Sequence, residues 1–217
     1  TDWYGVLWRD SEVHAALRNS LILGAATVGV TLVLATPVAL ALRGRRFRGR
    51  GAYEFVIGMP FLLPEIVTGL ALLTFFTQVD IDLSKMTIVI GHVLFVVGAA
   101  FRIIAARVET LPTTMEEAAR DLGRGAVGSF VYATLPGLWS ALAAASLIVF
   151  VLSFDQTVIT IFLTGVDNTL PTLLWAKMRI GFTPELNALA TVLVGITAVL
   201  AIPIAFMLAR RGAVEDV

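Results

Sequence analysis

Two carboxylates stand where a chain this apolar has little room for charge. Asp155 lies beside Gln156 in VLSFDQTVITIFLTG, and Glu65 lies in MPFLLPEIVTGL. An aspartate at the centre of a membrane span costs about 2.5–3.5 kcal/mol on insertion scales, so such a group must face a bundle interior or a watery cavity. Two uses are open for Asp155. It pairs with a cation or lines a translocation path, or it hydrogen-bonds Ser153, Thr157 or another helix and locks the bundle. Glu65 has the same choice, its structural use being a bond to backbone freed by Pro60 and Pro64. Phe154, Trp175 and Tyr53 are candidates for cation–π contact with an ammonium ligand; the competing uses are packing for Phe154 and interfacial anchoring for Trp175 and Tyr53. His92, inside an apolar run, reads as a helix–helix hydrogen-bonding residue.

Bond-making chemistry finds no comparable constellation. Cysteine is absent, which removes disulfides, thiolate metal sites and a cysteine nucleophile together. The two histidines, His14 and His92, are far apart in sequence, and there is no H-E-x-x-H. An intramembrane protease, serine or metal, is therefore disfavoured, and no metal site is expected.

A second polar feature is EEAARDLGRGAVGSFVYATLP, from Glu116 to Pro136. Thr113 and Glu116 have the spacing of a capping box, after a Leu111-Pro112 pair that resists helix. Met115, Ala118, Ala119 and Leu122 then recur at helical spacing as a small apolar stripe. Gly123 is where the helix should stop, since glycine takes the left-handed conformation cheaply. A helix under about 12 residues is marginal alone, so this one must pack on something. Gly123, Gly125 and Gly128 also match G-x-G-x-x-G, but that fingerprint must follow a strand and open a helix. Here it follows a helix, and no G-x-x-x-x-G-K-[ST] exists in the chain.

The elements that must carry these residues are apolar helices. Of 217 residues 58% are hydrophobic and 15% charged, with mean hydropathy +0.88; a soluble domain has about a quarter charged. Five segments are long enough to cross a bilayer: roughly Ser20–Leu42, Phe55–Thr77, Met86–Ala106, Gly137–Thr164 and Asn187–Ala209. Alternating strands are not visible, so the spans are helical, with Pro37, Pro60, Pro64 and Pro203 as kink sites. Arg43, Arg45, Arg46, Arg48 and Arg50 follow the first span, and the positive-inside rule puts that connection in the cytoplasm. A nucleic-acid patch is the poorer reading of such a cluster beside a span end. Counting on, the 109–136 loop and the tail with Arg210 and Arg211 are cytoplasmic, while the 165–186 loop is outside. Within that outer loop TLPTLLWAKMRIGFTPE has the makings of a short surface helix. Residues 1–19 fall outside without a signal-peptide pattern, which predicts a sixth span upstream.

Glu117-Ala118-Ala119, Gly123 and then Ala133-Thr134-Leu135-Pro136 resemble the EAA motif of ATP-binding-cassette importer permeases, E-A-A-x3-G-x9-I-x-L-P. Ala133 stands where that pattern has isoleucine. The resemblance covers most of the chain and implies an all-α, type I importer transmembrane domain over residues 1–217. It implies that the 109–136 loop is a coupling helix docking on a separate ATPase, with Glu117, Ala118, Ala119, Gly123, Leu135 and Pro136 transmitting motion. It implies ATP and magnesium on that partner rather than in this chain, a second permease subunit, an extracytoplasmic substrate-binding protein, and a bacterial inner membrane. The S-F-D segment with its following TLP, and P-E-I-V at Glu65, resemble spermidine/putrescine-type permeases, where S-x-D-[DE] is common. Gln156 replaces the second acid. The resemblance implies import of a small organic cation, polyamine-like, with Asp155, Gln156, Phe154, Glu65 and Trp175 along its path. A permease for another small solute, amino-acid-derived or other, is the alternative. A secondary transporter would need an inverted repeat, and none is visible.

Overall fold

The computed structural model describes residues 2–45, 48–165 and 167–215, with side chains described no further than residue 202. Arg46 therefore lies outside what is described, as do the side chains of Pro203, Arg210 and Arg211. Twelve helical segments follow one another: α1 (Asp2–Leu7), α2 (Ser11–Leu42), α3 (Arg50–Leu62), α4 (Glu65–Gln78), α5 (Lys85–Thr110), α6 (Thr114–Asp121), α7 (Ala126–Ser129), a π-helical turn (Phe130–Thr134), α8 (Leu135–Phe154), α9 (Val158–Leu163), α10 (Leu170–Ile180) and α11 (Pro184–Glu215). No strand occurs among the described residues.

Among the described residues four stretches are each long and apolar enough to cross a membrane: α2, α5, residues 126–154 and the first part of α11. The second expected span differs from expectation. Phe55–Thr77 is divided between α3 and α4, which meet at 97°. The cause is Pro64: the residue before a proline is pushed out of the helical region, and Leu63 is extended at φ −76°, ψ 145°. The fourth expected span, Gly137–Thr164, is likewise divided. It ends as α8 at Phe154 and resumes as α9 at Val158. The first span begins earlier than the hydropathy suggests, because Asp10 caps α2 by accepting the Glu12 N–H at 2.8 Å.

α5 is the central post. Ser84 and Thr87 form a capping box at its start, and Phe95, Val96, Ala100, Ile104 and Val108 bury one side against α2, α3 and α8. Small residues set the close crossings, as in membrane bundles generally. A Cβ on Gly98 would lie 2.7 Å from the Ile57 oxygen and 2.8 Å from the Gly58 Cα, so α3 and α5 touch backbone to backbone there. A second cluster joins Leu7, Val13 and Ala16 to Leu170, Leu173 and Leu189 around Phe154. It seats α10, whose Thr169 and Thr172 form its capping box, and it is tied to α2 where the Asn19 amide donates to the Asn168 oxygen at 3.0 Å. An ion pair between Asp10 and Lys177, at 3.0 Å, closes that end of the bundle.

Candidate functional site

The two helix breaks bring the sequence's two intramembrane carboxylates to one cleft. Its volume is about 440 Å³, and Glu65, Asp155, Gln156 and Thr157 line it with Phe61, Phe95, Val151, Leu152 and Val158. Glu65 is the first residue of α4, where the helix N-terminus stabilises its negative charge. Asp155 caps the C-terminus of α8, and there the dipole works the other way. A carboxylate at that end of a helix adds to the negative potential there.

Neither neighbour proposed as a lock takes the Asp155 carboxylate. The Ser153 hydroxyl is engaged by His92 at 2.8 Å, and the Thr157 hydroxyl donates to the Asp155 main-chain oxygen at 3.3 Å. Asp155 is exposed to the cleft. Gln156 is buried and accepts weakly from the Ile159 N–H at 3.4 Å. Phe154 is buried in the second core cluster, stacked on Phe150 with ring centroids 5.9 Å apart. Trp175 lies on α10, where the Arg179 guanidinium sits 4.3 Å from its ring centre. Neither aromatic is among the residues lining the cleft.

His92 was read as a helix–helix contact and is one. Its ring bridges Ser153 on α8 at 2.8 Å and Thr160 on α9 at 2.9 Å, wholly buried. The sequence offers Ser153 as a partner for Asp155 and not for His92, and Thr160 is not singled out there, because hydroxyls in apolar runs usually bond their own helix.

The polar loop gathers at the opposite end of α2 from Asp10. Its expected capping box is not formed. Thr113 has helical dihedrals and caps nothing, while Glu116 accepts from the Arg43 guanidinium at 2.5 Å and from the Thr134 hydroxyl at 2.8 Å. A charge-assisted bond to a guanidinium outweighs a reach back to a neutral amide. Burial alone would raise the Glu116 carboxyl, but the bond from Thr134 and the bond and charge of Arg43 hold it below the usual carboxylate range. Arg43 also donates to the Leu111 oxygen at 2.5 Å, and Arg107 to the Gly137 oxygen at 3.0 Å. Arg43 was legible only as one member of the arginine cluster, since its partners are distant in sequence.

Gly123 does stop the helix. Its φ is +80°, its N–H reaches the Arg120 oxygen at 2.8 Å, and the Arg124 N–H reaches the Ala119 oxygen at 3.1 Å, the pair of bonds of a Schellman motif. The expected apolar stripe is largely uncovered: Met115 is 55% and Leu122 84% exposed. Glu117, Ala118 and Gly123 are also exposed, and Ala119 is half-buried. Gly125 precedes a helix of only four residues and follows α6 rather than a strand. Ala133 is buried in the π-helical turn that leads from the loop into α8, with Leu135 and Pro136 starting that helix. Among the described residues no group of histidine, aspartate and glutamate is placed to hold a metal ion.

Known proteins are similar to this chain in sequence and in architecture. The chain is 35% identical over 218 residues to the putrescine transport system permease protein PotI of Escherichia coli (strain K12), covering 97% of this chain and 78% of the relative. It is 31% identical over 206 residues to the spermidine/putrescine transport system permease protein PotC of the same strain, covering 93% and 77%. Among solved structures it resembles a bacterial ABC transporter involved in import of the acidic polysaccharide alginate, at TM-score 0.68 and 19% identity over 97% of this chain and 78% of that one. It resembles the inward-facing MetNI methionine ABC transporter equally well, at TM-score 0.68 and 16% identity over 94% and 97%. The fold is therefore that of ABC transporter transmembrane domains. Residues 21–211 match the family described as binding-protein-dependent transport system inner membrane component, and the chain belongs to that family.

Proposed function

We propose that this chain is the translocation subunit of an ATP-driven importer for a small organic cation of the polyamine class. The observation that carries this reading is the cleft in which Glu65 and Asp155, each at a helix break, face one space of about 440 Å³ with Phe61 and Phe95. Two carboxylates flanked by aromatic rings suit a chain-like molecule with ammonium groups and methylenes between them. The names of the relatives, putrescine and spermidine/putrescine permeases, support the same substrate class. The solved neighbours handle alginate and methionine on the same fold, so substrate choice rests on the cleft and not on the architecture.

In this reading residues 1–217 act as one translocation domain, and the Arg43 end of the bundle and the C-terminus face the cytoplasm. A partner ATPase carrying ATP and magnesium docks on α6. The uncovered Met115 and Leu122 supply apolar contact, Glu117, Ala118 and Ala119 the docking face, and Gly123, Leu135 and Pro136 the rigid exits into the spans. A second permease subunit completes the path, and an extracytoplasmic binding protein delivers the substrate. Phe154 supports Asp155 from behind through packing, and Trp175 contributes at the outer end.

Uptake by the assembled transporter tests the substrate role. Asp155→Asn and Glu65→Gln should each raise the apparent KM for putrescine, while competition by a neutral solute of equal size stays weak. Unchanged putrescine uptake in both variants removes the cation-pairing role and favours another small solute. Glu117→Lys tests the partner: loss of a co-purifying ATPase, or of its stimulated hydrolysis, is expected.

A further inference from the structure

Asp155 sits in a gap between two helices, yet the gap is not loose. Ser153, at the end of α8, and Gln156, inside the gap, are both tied to one ring on α5. The Thr160 hydroxyl donates its single proton to the Gln156 main-chain oxygen at 2.7 Å. Its oxygen is left to accept from His92, so Nε2 of the neutral ring carries the proton, at 2.9 Å. Nδ1 then accepts from the Ser153 hydroxyl at 2.8 Å. The bonds run in one direction: Ser153 to His92, His92 to Thr160, Thr160 to the Gln156 carbonyl. All four residues are buried.

α9 is also held closely against α5 beside the ring. A Cβ on the adjacent Gly91 would lie 2.4 Å from a Leu163 methyl and 2.9 Å from one of Ile159, so α9 rests directly on the α5 backbone. One turn earlier the Thr87 hydroxyl lies 2.9 Å from the Leu163 oxygen and 2.7 Å from the Ser84 oxygen, with one proton to share between them.

We infer that His92 is a positioning residue for cation recognition: by joining Ser153 to Gln156 through Thr160, it fixes the break in the orientation that turns the Asp155 carboxylate into the cleft. The inference rests on the cation reading of that cleft. His92 itself does not line the cleft, and it acts only through the residues on either side of Asp155.

The test uses the complete transporter with its partner subunits, in membranes. His92→Leu and Thr160→Val each cut the chain of bonds; His92→Gln keeps a donor and an acceptor. Because the chain contains no cysteine, Val158→Cys gives a single thiol in the cleft lining, whose labelling by a maleimide reports the shape of the break without any substrate. His92→Leu and Thr160→Val should change that labelling rate and raise the KM for putrescine by about tenfold, the effect of losing a buried hydrogen bond. His92→Gln should recover most of the loss. Adding Asp155→Asn to His92→Leu should make KM no worse than Asp155→Asn alone, since both act on one group. The inference is overturned if labelling is unchanged, if the two substitutions multiply, or if His92→Leu lowers only the amount of protein. A separate failure is recognisable: if Asp155→Asn leaves KM unchanged while His92→Leu alters labelling, the cation reading falls and His92 still sets the break.

Discussion

Glu116 and Asp155 are both carboxylates at the end of a helical element, and the structure uses them in opposite ways. Glu116 is held by Arg43 and Thr134, and its side chain is 23% exposed. The hydroxyls on either side of Asp155 are taken by His92 and by the main chain, and its own carboxylate is left facing a cleft. A carboxylate satisfied within the chain fastens the polar loop to α2 and to the π-helical turn. In the proposed reading, one left unsatisfied at a helix end that disfavours it is held ready for a cation from outside the chain. The contrast separates a joint from a site more sharply than residue type does.

Reversing the unsatisfied charge should have the largest effect. Asp155→Lys places a fixed ammonium in the cleft, and like charges brought together cost several kcal/mol. Putrescine uptake should fall by on the order of a hundredfold, with ATPase binding and protein amount retained; uptake near wild type would erase the contrast. Next is Glu116→Ala, which leaves Arg43, with its side chain only 14% exposed, without its carboxylate. It should destabilise the purified transporter by about 1–3 kcal/mol in thermal unfolding and weaken ATPase coupling, leaving the KM for substrate unaltered. A raised KM would mean that joint and cleft are not separable.

Acid offers a smaller and graded break. Because the folded Glu116 carboxyl titrates below its unfolded value, its contribution is complete above the unfolded carboxylate range. It is lost as pH falls through the folded value. The melting temperature of the wild type should therefore approach that of Glu116→Gln on acidification, and a gap independent of pH would show that the charge is not what fastens the loop. The smallest effect is expected at Arg50, which pairs at the exposed surface with Glu54 at 2.7 Å and Glu109 at 2.8 Å. Exposed pairs contribute little, so Arg50→Ala should leave the melting temperature nearly unchanged at moderate salt.

The contrast also marks what the sequence could reveal. Gly123 was legible as a helix stop, because the left-handed conformation is a local requirement. Asp155 and Glu65 stood out because charge in an apolar run has few uses. That they share one cleft was not legible, since it depends on two helix breaks meeting in space. Pro64 announced the first break without its 97° bend. Nothing in the hydropathy of residues 137–164 announced the second. The capping box at Thr113 failed for a related reason: a local pattern lost to Arg43, 73 residues away in sequence. His92 fell between these cases, its type betraying a polar contact but not the two helices it would hold.

The backbone contact of Gly58 with Gly98 gives α3 a fulcrum. About eight residues, or 12 Å at 1.5 Å per residue, lie on the side toward Arg50; about four, or 6 Å, lie on the side toward Leu62. A tilt about that point sends the two ends in opposite directions, with the cleft end travelling about half as far. The geometry is that of a reducing lever: displacement is traded for force where the helix meets Glu65.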